Sequence, residues 1–251
     1  MSENRRVRLV RWAIVLAGLA ALEVVPRLGL VDPLALVPLS EMVSQLWLLI
    51  SDGILGTHIA KTLTEIVVAG GLAVLTGLPL GVALWRAPRV RQVLQPYLTT
   101  YYAIPIFAFY PLFIAVFGLG VMPVIIIAWA WAVVAIVLNT VIGLNEVPDV
   151  LVKVGRSLRL SPWRLFRQVY FPAATPHIFT GLKLAASYTI IGVIASEFIQ
   201  AESGLGFFVG YSYNNFAIQN MYAAILLILA FAVVVNSALL ALERRLYGRR
   251  N

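Results

Sequence analysis

The sequence predicts an all-α, polytopic membrane protein with six transmembrane helices. Of its 251 residues, 61% are hydrophobic and only 12% are charged, whereas soluble domains are about half apolar and about a quarter charged. Apolar runs of about 20 residues recur along the chain, which is the length that a helix needs to cross a hydrocarbon core of about 30 Å. The Lys and Arg residues cluster between these runs, as they do in cytoplasmic loops.

The apolar runs place six spans along the chain. They are residues 10–31, 59–85, 93–117, 121–144, 177–200 and 219–242. No charged residue stands between Arg91 and Glu146, and this stretch is too long for one crossing, so it must hold two helices. The break is expected at residues 117–123, where two glycines and a proline interrupt helix formation. Pro105 and Pro111 are expected to bend or break the helix before it.

The first span follows an Arg-rich start and is predicted to be an uncleaved helix, since it is longer than the apolar core of a signal peptide. Residues 38–50 after it are predicted to form an amphipathic helix on the outer surface, with Met42, Leu46 and Leu49 on one face. We expect three parts: the first span with an extracytoplasmic linker at 1–52, a transmembrane core at 53–245 and a cytoplasmic tail at 246–251.

Charge sets the predicted orientation. The basic residues outside the spans form groups of four, three, five and four, all on one side if there are six spans. They are Arg5, Arg6, Arg8 and Arg11; Arg86, Arg89 and Arg91; Lys153, Arg156, Arg159, Arg164 and Arg167; and Arg244, Arg245, Arg249 and Arg250. The positive-inside rule then makes both termini cytoplasmic. Orientation also accounts for the net charge of +8, so nucleic-acid binding is not predicted.

Several classes of site are not predicted. The chain has no cysteine, and its two histidines, His58 and His177, are far apart in sequence, so a metal site is not expected. There is no glycine-rich nucleotide-binding loop, and no catalytic groups converge. The chain itself is therefore predicted to be neither an enzyme nor a cofactor-binding protein.

A polar segment at residues 145–176 separates the fourth and fifth spans. Its first predicted helix begins at Pro148 and carries Val150, Val154 and Leu158 on one apolar face. We expect this first helix and the turn after it, roughly residues 152–161, to project toward the cytosol.

The second predicted helix of this segment begins at Ser161-Pro162, an N-cap followed by a proline in the first turn. Its apolar stripe comprises Trp163, Phe166, Val169 and Tyr170, and Pro172 is expected to end the helix. We expect this stripe to rest either on the inner membrane surface or on the protein's own helices. One interpretation is a pair of interfacial helices that stiffen the bundle and lie on anionic lipid. The other is a surface that binds another protein.

Short motifs in a fixed order carry a family resemblance over roughly residues 53–245. They are Ile104-Pro105, Pro111-Leu112 and Phe117-Gly118; Arg156-Ser157-Leu158, Ser161, Trp163, Phe166, Val169, Pro172-Ala173-Ala174 and Pro176; and Ser196-Glu197-Phe198 with Ser203-Gly204-Leu205-Gly206. Together they resemble type I ABC importer permeases, in particular the subgroup that takes up nitrate, taurine, alkanesulfonates and similar small compounds. The chain departs from that family at Lys153, where Glu is usual, and at Arg159, where Gly is usual.

The resemblance implies an assembly in the bacterial inner membrane. It would contain two copies of this permease, two cytoplasmic ATPase subunits that hold ATP and Mg, and an extracytoplasmic substrate-binding protein. The cytoplasmic loop would dock on the ATPases through a coupling helix. The residues implied are Val152, Lys153, Val154, Gly155, Arg156, Ser157, Leu158, Arg159, Leu160, Ser161, Trp163 and Phe166. An acidic surface on the ATPase would compensate for the two departures.

Candidates for the substrate pathway are weaker. They are Tyr102, Pro105 and Phe109 in an aromatic run, and Tyr188, Glu197 and Gln200 within or at the end of the fifth span. Packing against lipid or other helices equally explains the aromatic run, and an ion pair or a helix cap equally explains Glu197. Lys61 and Glu65 are spaced to pair with each other, and Lys183 is placed to reach the headgroups.

The predicted solute is small and anionic, either organic or inorganic. The alternative function is a secondary transporter or channel working alone. Such proteins often carry repeated halves and several buried acids; here no repeat is apparent and acids within the spans are few.

Overall fold

The computed structural model describes residues 3–32, 34–101 and 104–247, and within these ranges the regular structure is entirely helical. The helices are α1 (Glu3–Arg27), α2 (Leu39–Ser51), α3 (Ile54–Arg86), α4 (Pro88–Thr100), α5 (Tyr110–Phe117), α6 (Val121–Asn145), α7 (Asp149–Ser157), α8 (Pro162–Leu165), α9 (Phe171–Gln200), α10 (Leu205–Asn214) and α11 (Ile218–Tyr247). A 3₁₀ turn (Ile106–Phe109) precedes α5, and a π turn (Phe166–Tyr170) joins α8 to α9.

The all-α membrane fold is confirmed. Five helical segments are long and apolar enough to cross a bilayer: Leu9–Arg27, Ile54–Arg86, Val121–Asn145, Pro162–Ile199 and Ile218–Arg245. A shorter apolar segment, Ile106–Phe117, takes part of the place of the predicted span at 93–117. Helix α4 ends at Thr100, and Pro105 has a non-helical backbone (φ −73°, ψ 81°) just before the 3₁₀ turn, so helical structure is interrupted near this proline, as expected.

The core forms where α6 lies between α3 and α9. Small residues allow these helices to approach closely, which is the usual basis of packing between helices in lipid. A Cβ atom at Gly81 of α3 would stand 2.6 Å from Cβ of Thr140 on α6, and one at Gly192 of α9 would stand 2.9 Å from Cα of Ala128 on α6. Much of α6 is buried between its two neighbours.

A second apolar cluster joins α2, α10 and α11. The predicted helix at 38–50 is confirmed as α2, and its Met42 and Leu49 are buried in clusters with residues of α11. Helix α10 was not predicted, because residues 201–218 between the fifth and sixth predicted spans were expected to form a loop. Its Leu205, Phe208 and Val209 face the core at helical spacing.

Helix α1 is joined to α2 mainly by polar contacts. Arg27 donates to Glu23 at 2.6 Å and to Ser40 Oγ at 2.9 Å, and Glu23 also accepts the Ser40 N–H at 2.9 Å. The most apolar part of α1 has no buried residue within the described part of the chain. Its apolar surface therefore suits contact with lipid.

Three local expectations were wrong. Pro172 does not end a helix, because the π turn before it leaves Pro172 in the first turn of α9, where a missing N–H costs little. Lys61 and Glu65 form no ion pair in the described residues, since Glu65 faces Glu197 instead. Lys183 pairs with Glu243 of α11 at 2.7 Å, which holds its ammonium within the protein.

We expect Gly81→Ala to lower the free energy of unfolding by about 1–3 kcal/mol, because the added methyl group overlaps Thr140 in a tight interface. Gly71→Ala on the same helix is the matched control, since no atom lies within 4 Å of a Cβ there. That variant should be neutral or more stable by up to about 1 kcal/mol. Unfolding in detergent measures both, and equal effects at the two sites would contradict the packing account.

Candidate functional site

Helix α7 presents its predicted apolar face to the outside of the molecule. Val150 is 67% exposed and Leu158 is 70% exposed, with Val154 between them also exposed. Val152 and Gly155 are buried instead. The more apolar face of α7 therefore points away from the protein's own helices.

Gly155 explains this rotation of α7. A Cβ atom at Gly155 would stand only 2.5 Å from Cδ1 of Leu165 and 3.3 Å from Cγ2 of Val169. The helix approaches α8 and the π turn along the side where it has no side chain. The opposite, apolar side is consequently left uncovered by the described part of this chain.

The turn after α7 is a Schellman motif. The Leu160 N–H donates to the Gly155 carbonyl at 3.2 Å, and the Arg159 N–H donates to the Arg156 carbonyl at 2.9 Å. The motif needs a left-handed residue, and Arg159 supplies it with φ 51°. This is the position where the resembling family usually has Gly, and the preference has a backbone cause.

Helix α8 begins as predicted. Ser161 Oγ accepts the Arg164 N–H at 3.4 Å, and Pro162 lies in the first turn. Trp163 is 64% exposed and stacks on Phe166, with their ring centroids 6.1 Å apart.

The apolar stripe of the second helix packs on the end of α3, as one of the two expectations for it proposed. Trp85 of α3 lies 4.9 Å from Tyr170 and 6.3 Å from Phe166 between ring centroids. The guanidinium of Arg86 sits 5.5 Å from the Phe166 ring centroid. The segment is thus attached to α3 as well as to α9.

The exposed face is both apolar and basic. We call it the α7 surface; it comprises Val150, Val154, Leu158 and Trp163 together with Lys153, Arg156, Arg159, Arg164 and Arg167, all of them exposed. None of these five cations forms an ion pair with a carboxylate in the described ranges. Such a surface can bury its apolar centre against a partner whose rim is acidic.

The remaining coupling candidates have internal roles in this segment. Ser157 Oγ donates to the Lys153 carbonyl at 3.0 Å within α7. Leu160 is half-buried beside Gly155. Val152 packs in the cluster that contains Leu144 of α6 and Ile178 of α9.

The structure does not bring the pathway candidates together. Tyr102 lies outside the described residues, as does the side chain of Gln200. Pro105 and Phe109 are exposed at the break before α5. Tyr188 stacks on Trp131, with ring centroids 5.6 Å apart, and Trp131 in turn contacts Phe107.

Glu197 lies in a different, enclosed place. Its carboxylate accepts the Thr62 hydroxyl at 2.7 Å and the Gly206 N–H at 2.8 Å, so it binds one of the free N–H groups at the start of α10. A Cβ atom at Gly204 would overlap the Glu197 carboxylate. Of the interpretations offered by the sequence, the helix cap is the one seen here.

The sequence analysis missed the neighbours of Glu197. Thr62 and Glu65 are three residues apart on α3 and both are fully buried beside it. The signal that could have found them was this polar pair at helical spacing within an apolar run, followed far along the chain by Glu197 and a Gly-Leu-Gly turn.

We expect Arg159→Gly to keep the turn after α7 and to raise the free energy of unfolding by about 0.5–1 kcal/mol, because glycine adopts a positive φ at little cost. Lys153→Gly, in the middle of α7, is the control and should lower it by about 1 kcal/mol. Unfolding of both variants in detergent tests this, and destabilisation by Arg159→Gly would show that the left-handed turn is wrong.

The chain matches a known protein family and several known relatives. Residues 73–248 match the family described as binding-protein-dependent transport system inner membrane component. The taurine transport system permease protein TauC of Escherichia coli (strain K12) is 31% identical over 227 residues, which cover 88% of this chain and 82% of TauC. The nitrate import permease protein NrtB of Synechocystis sp. (strain ATCC 27184 / PCC 6803 / Kazusa) is 28% identical over 193 residues, covering 77% and 70%.

A solved structure supports the same fold. A chain of the MetNI methionine ABC transporter, in inward-facing conformations, superposes with a TM-score of 0.63 at 20% identity, covering 76% of this chain and 95% of that one. The alternative of a secondary transporter or channel working alone is not favoured by these relatives. The chain belongs to the family of inner-membrane permease components of binding-protein-dependent ABC transport systems.

Proposed function

We propose that this permease moves a small anionic solute into the cell, and that cytoplasmic ATPase subunits drive it by docking on the α7 surface. The observation that carries the proposal is the exposure of an apolar helix face in a segment that also exposes five cations without carboxylate partners in the described ranges. An exposed apolar face of this kind supports an interaction site. The cations favour a partner with an acidic rim.

The contacts around α7 support transmission of force. Gly155 seats α7 against Leu165, and the helical segment from Pro162 to Ile199 is continuous. Contacts of Trp85 with Phe166 and Tyr170 add α3 to the same unit. A push on α7 would therefore tilt α9 and α3 together, provided that the bundle has two discrete packings.

The partners follow from this arrangement and from the family. We propose a homodimer of this chain with two ABC ATPase subunits, which hold ATP and Mg, while the permease itself is non-catalytic. With α7 on the cytoplasmic side, both termini are cytoplasmic and membrane lipid surrounds the spans. The binding protein would then meet the opposite end of the bundle, where Tyr211, Tyr213 and Phe216 are exposed.

We also propose individual residues along the route of the solute. Pro105 and Phe109 are available to a second copy because they are exposed, and Tyr188 lies behind them with Trp131. Tyr102 and Gln200 stay in the proposed set, as does Glu197. We also retain residues 53–245 as the functional core, with 1–52 as an accessory span and linker and 246–251 as a tail.

The solute class rests on relatives named for taurine and nitrate transport. Calorimetry on the binding protein encoded beside this permease would test it, with nitrate, taurine and an alkanesulfonate as ligands and a neutral sugar as control. We expect at least one of the three to bind. Binding of the sugar alone would reject the proposed solute class and leave the ATPase docking proposal intact.

We expect Leu158→Glu to reduce solute uptake at least tenfold in proteoliposomes that contain the complete transporter, because a charge at the centre of a docking surface costs about 1.4 kcal/mol or more. The ATPase subunits should also be lost during purification. Uptake and the ratio of ATPase to permease are the two measurements.

Val90→Glu on α4 is the matched control, since Val90 is also apolar and about half exposed but lies outside the α7 surface. It should leave uptake and the subunit ratio unchanged. Normal uptake by Leu158→Glu, with the ATPase retained, would reject docking at this surface.

A further inference from the structure

Two carboxyl groups meet inside the bundle, at the end opposite the α7 surface. Glu65 of α3 and Glu197 of α9 have no exposed surface. Their carboxyl groups are neighbours, since Thr62, one turn before Glu65 on α3, donates to Glu197. Two negative charges enclosed side by side without a cation repel each other strongly. Something must neutralise one of them.

The bonds around Glu197 identify it as the ionised partner. Its two oxygens accept the Thr62 hydroxyl and the Gly206 N–H. The Thr62 oxygen accepts the Leu205 N–H at 2.8 Å, so its own proton is free to point at Glu197. A carboxylate that receives donors on both oxygens is in the setting that favours its charged form.

Glu65 has the opposite setting. No N–H or O–H group of the described residues bonds to either of its oxygens. Its neighbour, the Glu197 carboxylate, is an acceptor as well, and a hydrogen bond between two carboxyl groups requires a proton on one of them. The geometry therefore puts that proton on Glu65.

The surrounding charged and titratable groups do not replace the proton. On α3, the Lys61 ammonium acts on both carboxyls through space but pairs with neither in the described residues. His58 uses Nδ1 to accept the Gly204 N–H. Tyr110 of α5 brings a buried hydroxyl, and Glu202, which is exposed, adds only negative charge.

We propose that Glu65 and Glu197 form a proton-binding site within the membrane bundle, with the proton on Glu65 and donated to Glu197. The proton joins α3 to α9 directly. Through Gly206 and Leu205, the same cluster holds the start of α10. Loss of the proton would set two like charges against each other and open this end of the bundle. The proposal does not depend on which solute is carried.

Infrared spectroscopy of the purified full-length protein tests the site directly. At neutral pH exposed carboxyls are ionised, so a carbonyl band of a protonated carboxylic acid must come from an enclosed group. We expect this band in the wild type, shifted when glutamate is labelled with ¹³C at the side-chain carboxyl, and absent from Glu65→Gln. No such band in the wild type, or its persistence in Glu65→Gln, would overturn the proposal.

Thermal unfolding tests the role of the proton. Glu65→Gln should keep or raise the neutral-pH midpoint, because its amide N–H can donate to Glu197 in place of the proton and unfolding no longer releases a proton. Glu197→Gln should lower the midpoint, because its amide group turns a donor toward Thr62 or Gly206. Equal effects of the two substitutions would remove the assignment of the proton to Glu65.

The pH dependence of the unfolding midpoint distinguishes a bound proton from a packing contact. The folded wild type holds a proton that the unfolded chain releases at neutral pH, so its midpoint should fall as the pH rises into the alkaline range. The midpoint of the exposed control Glu202→Gln should fall as much as that of the wild type over the same pH range. The midpoint of Glu65→Gln should fall less. Identical curves for all three would reject the site, and a midpoint that depends on sodium rather than on pH would assign it to a metal cation instead.

Discussion

The close approach of α6 to α3 and α9 is the contact on which the rest of this structure depends. In lipid, helices gain little from burying apolar surface, so association relies on tight packing and on buried polar contacts. Gly81 and Gly192 provide that packing on the two sides of α6, where even one methyl group has no room. Because α3 and α9 are both fitted to the same helix, neither can bend freely along its length. Displacement of either one has to occur as the movement of a rigid body.

The two ends of this three-helix unit differ in chemistry. At one end, α3 and α9 carry Trp85 and the π turn that support α7 and its exposed apolar and basic surface. At the other end the same two helices carry the enclosed Glu65 and Glu197, and Glu197 accepts a hydrogen bond from Gly206 at the start of α10. A displacement of α3 and α9 at the α7 surface would therefore also displace Glu65 and Glu197, because the same two helices carry both.

The sequence predicted features that depend on local chemistry and missed those that depend on distant contacts. The apolar runs, the break at Pro105 and the Ser161 cap were all predictable, since each follows from a few neighbouring residues. The helix through Pro172 was not, because it requires a π turn that no local rule demands. The pairing of Glu65 with Glu197 was also missed, since it joins residues 132 positions apart in the printed sequence. The i, i+4 spacing of Lys61 and Glu65 suggested a local partner that tertiary packing overrode.

Helix α7 shows why a periodic apolar pattern did not identify the buried face. Val150, Val154 and Leu158 form the more hydrophobic stripe, yet the helix packs through Val152 and Gly155 because only a glycine lets Leu165 approach. Close packing at Gly155 sets the orientation of this helix and leaves the apolar stripe exposed. At Arg159 the left-handed turn survives without glycine, since two backbone hydrogen bonds enforce it at a cost of about 1–2 kcal/mol. Lys153 and Arg159 thus stand where the resembling family usually has Glu and Gly, and α7 and its left-handed turn form with these residues in place. What changes is charge: Lys153 and Arg159 both add positive charge to the exposed surface, and under the proposed docking this favours an acidic partner.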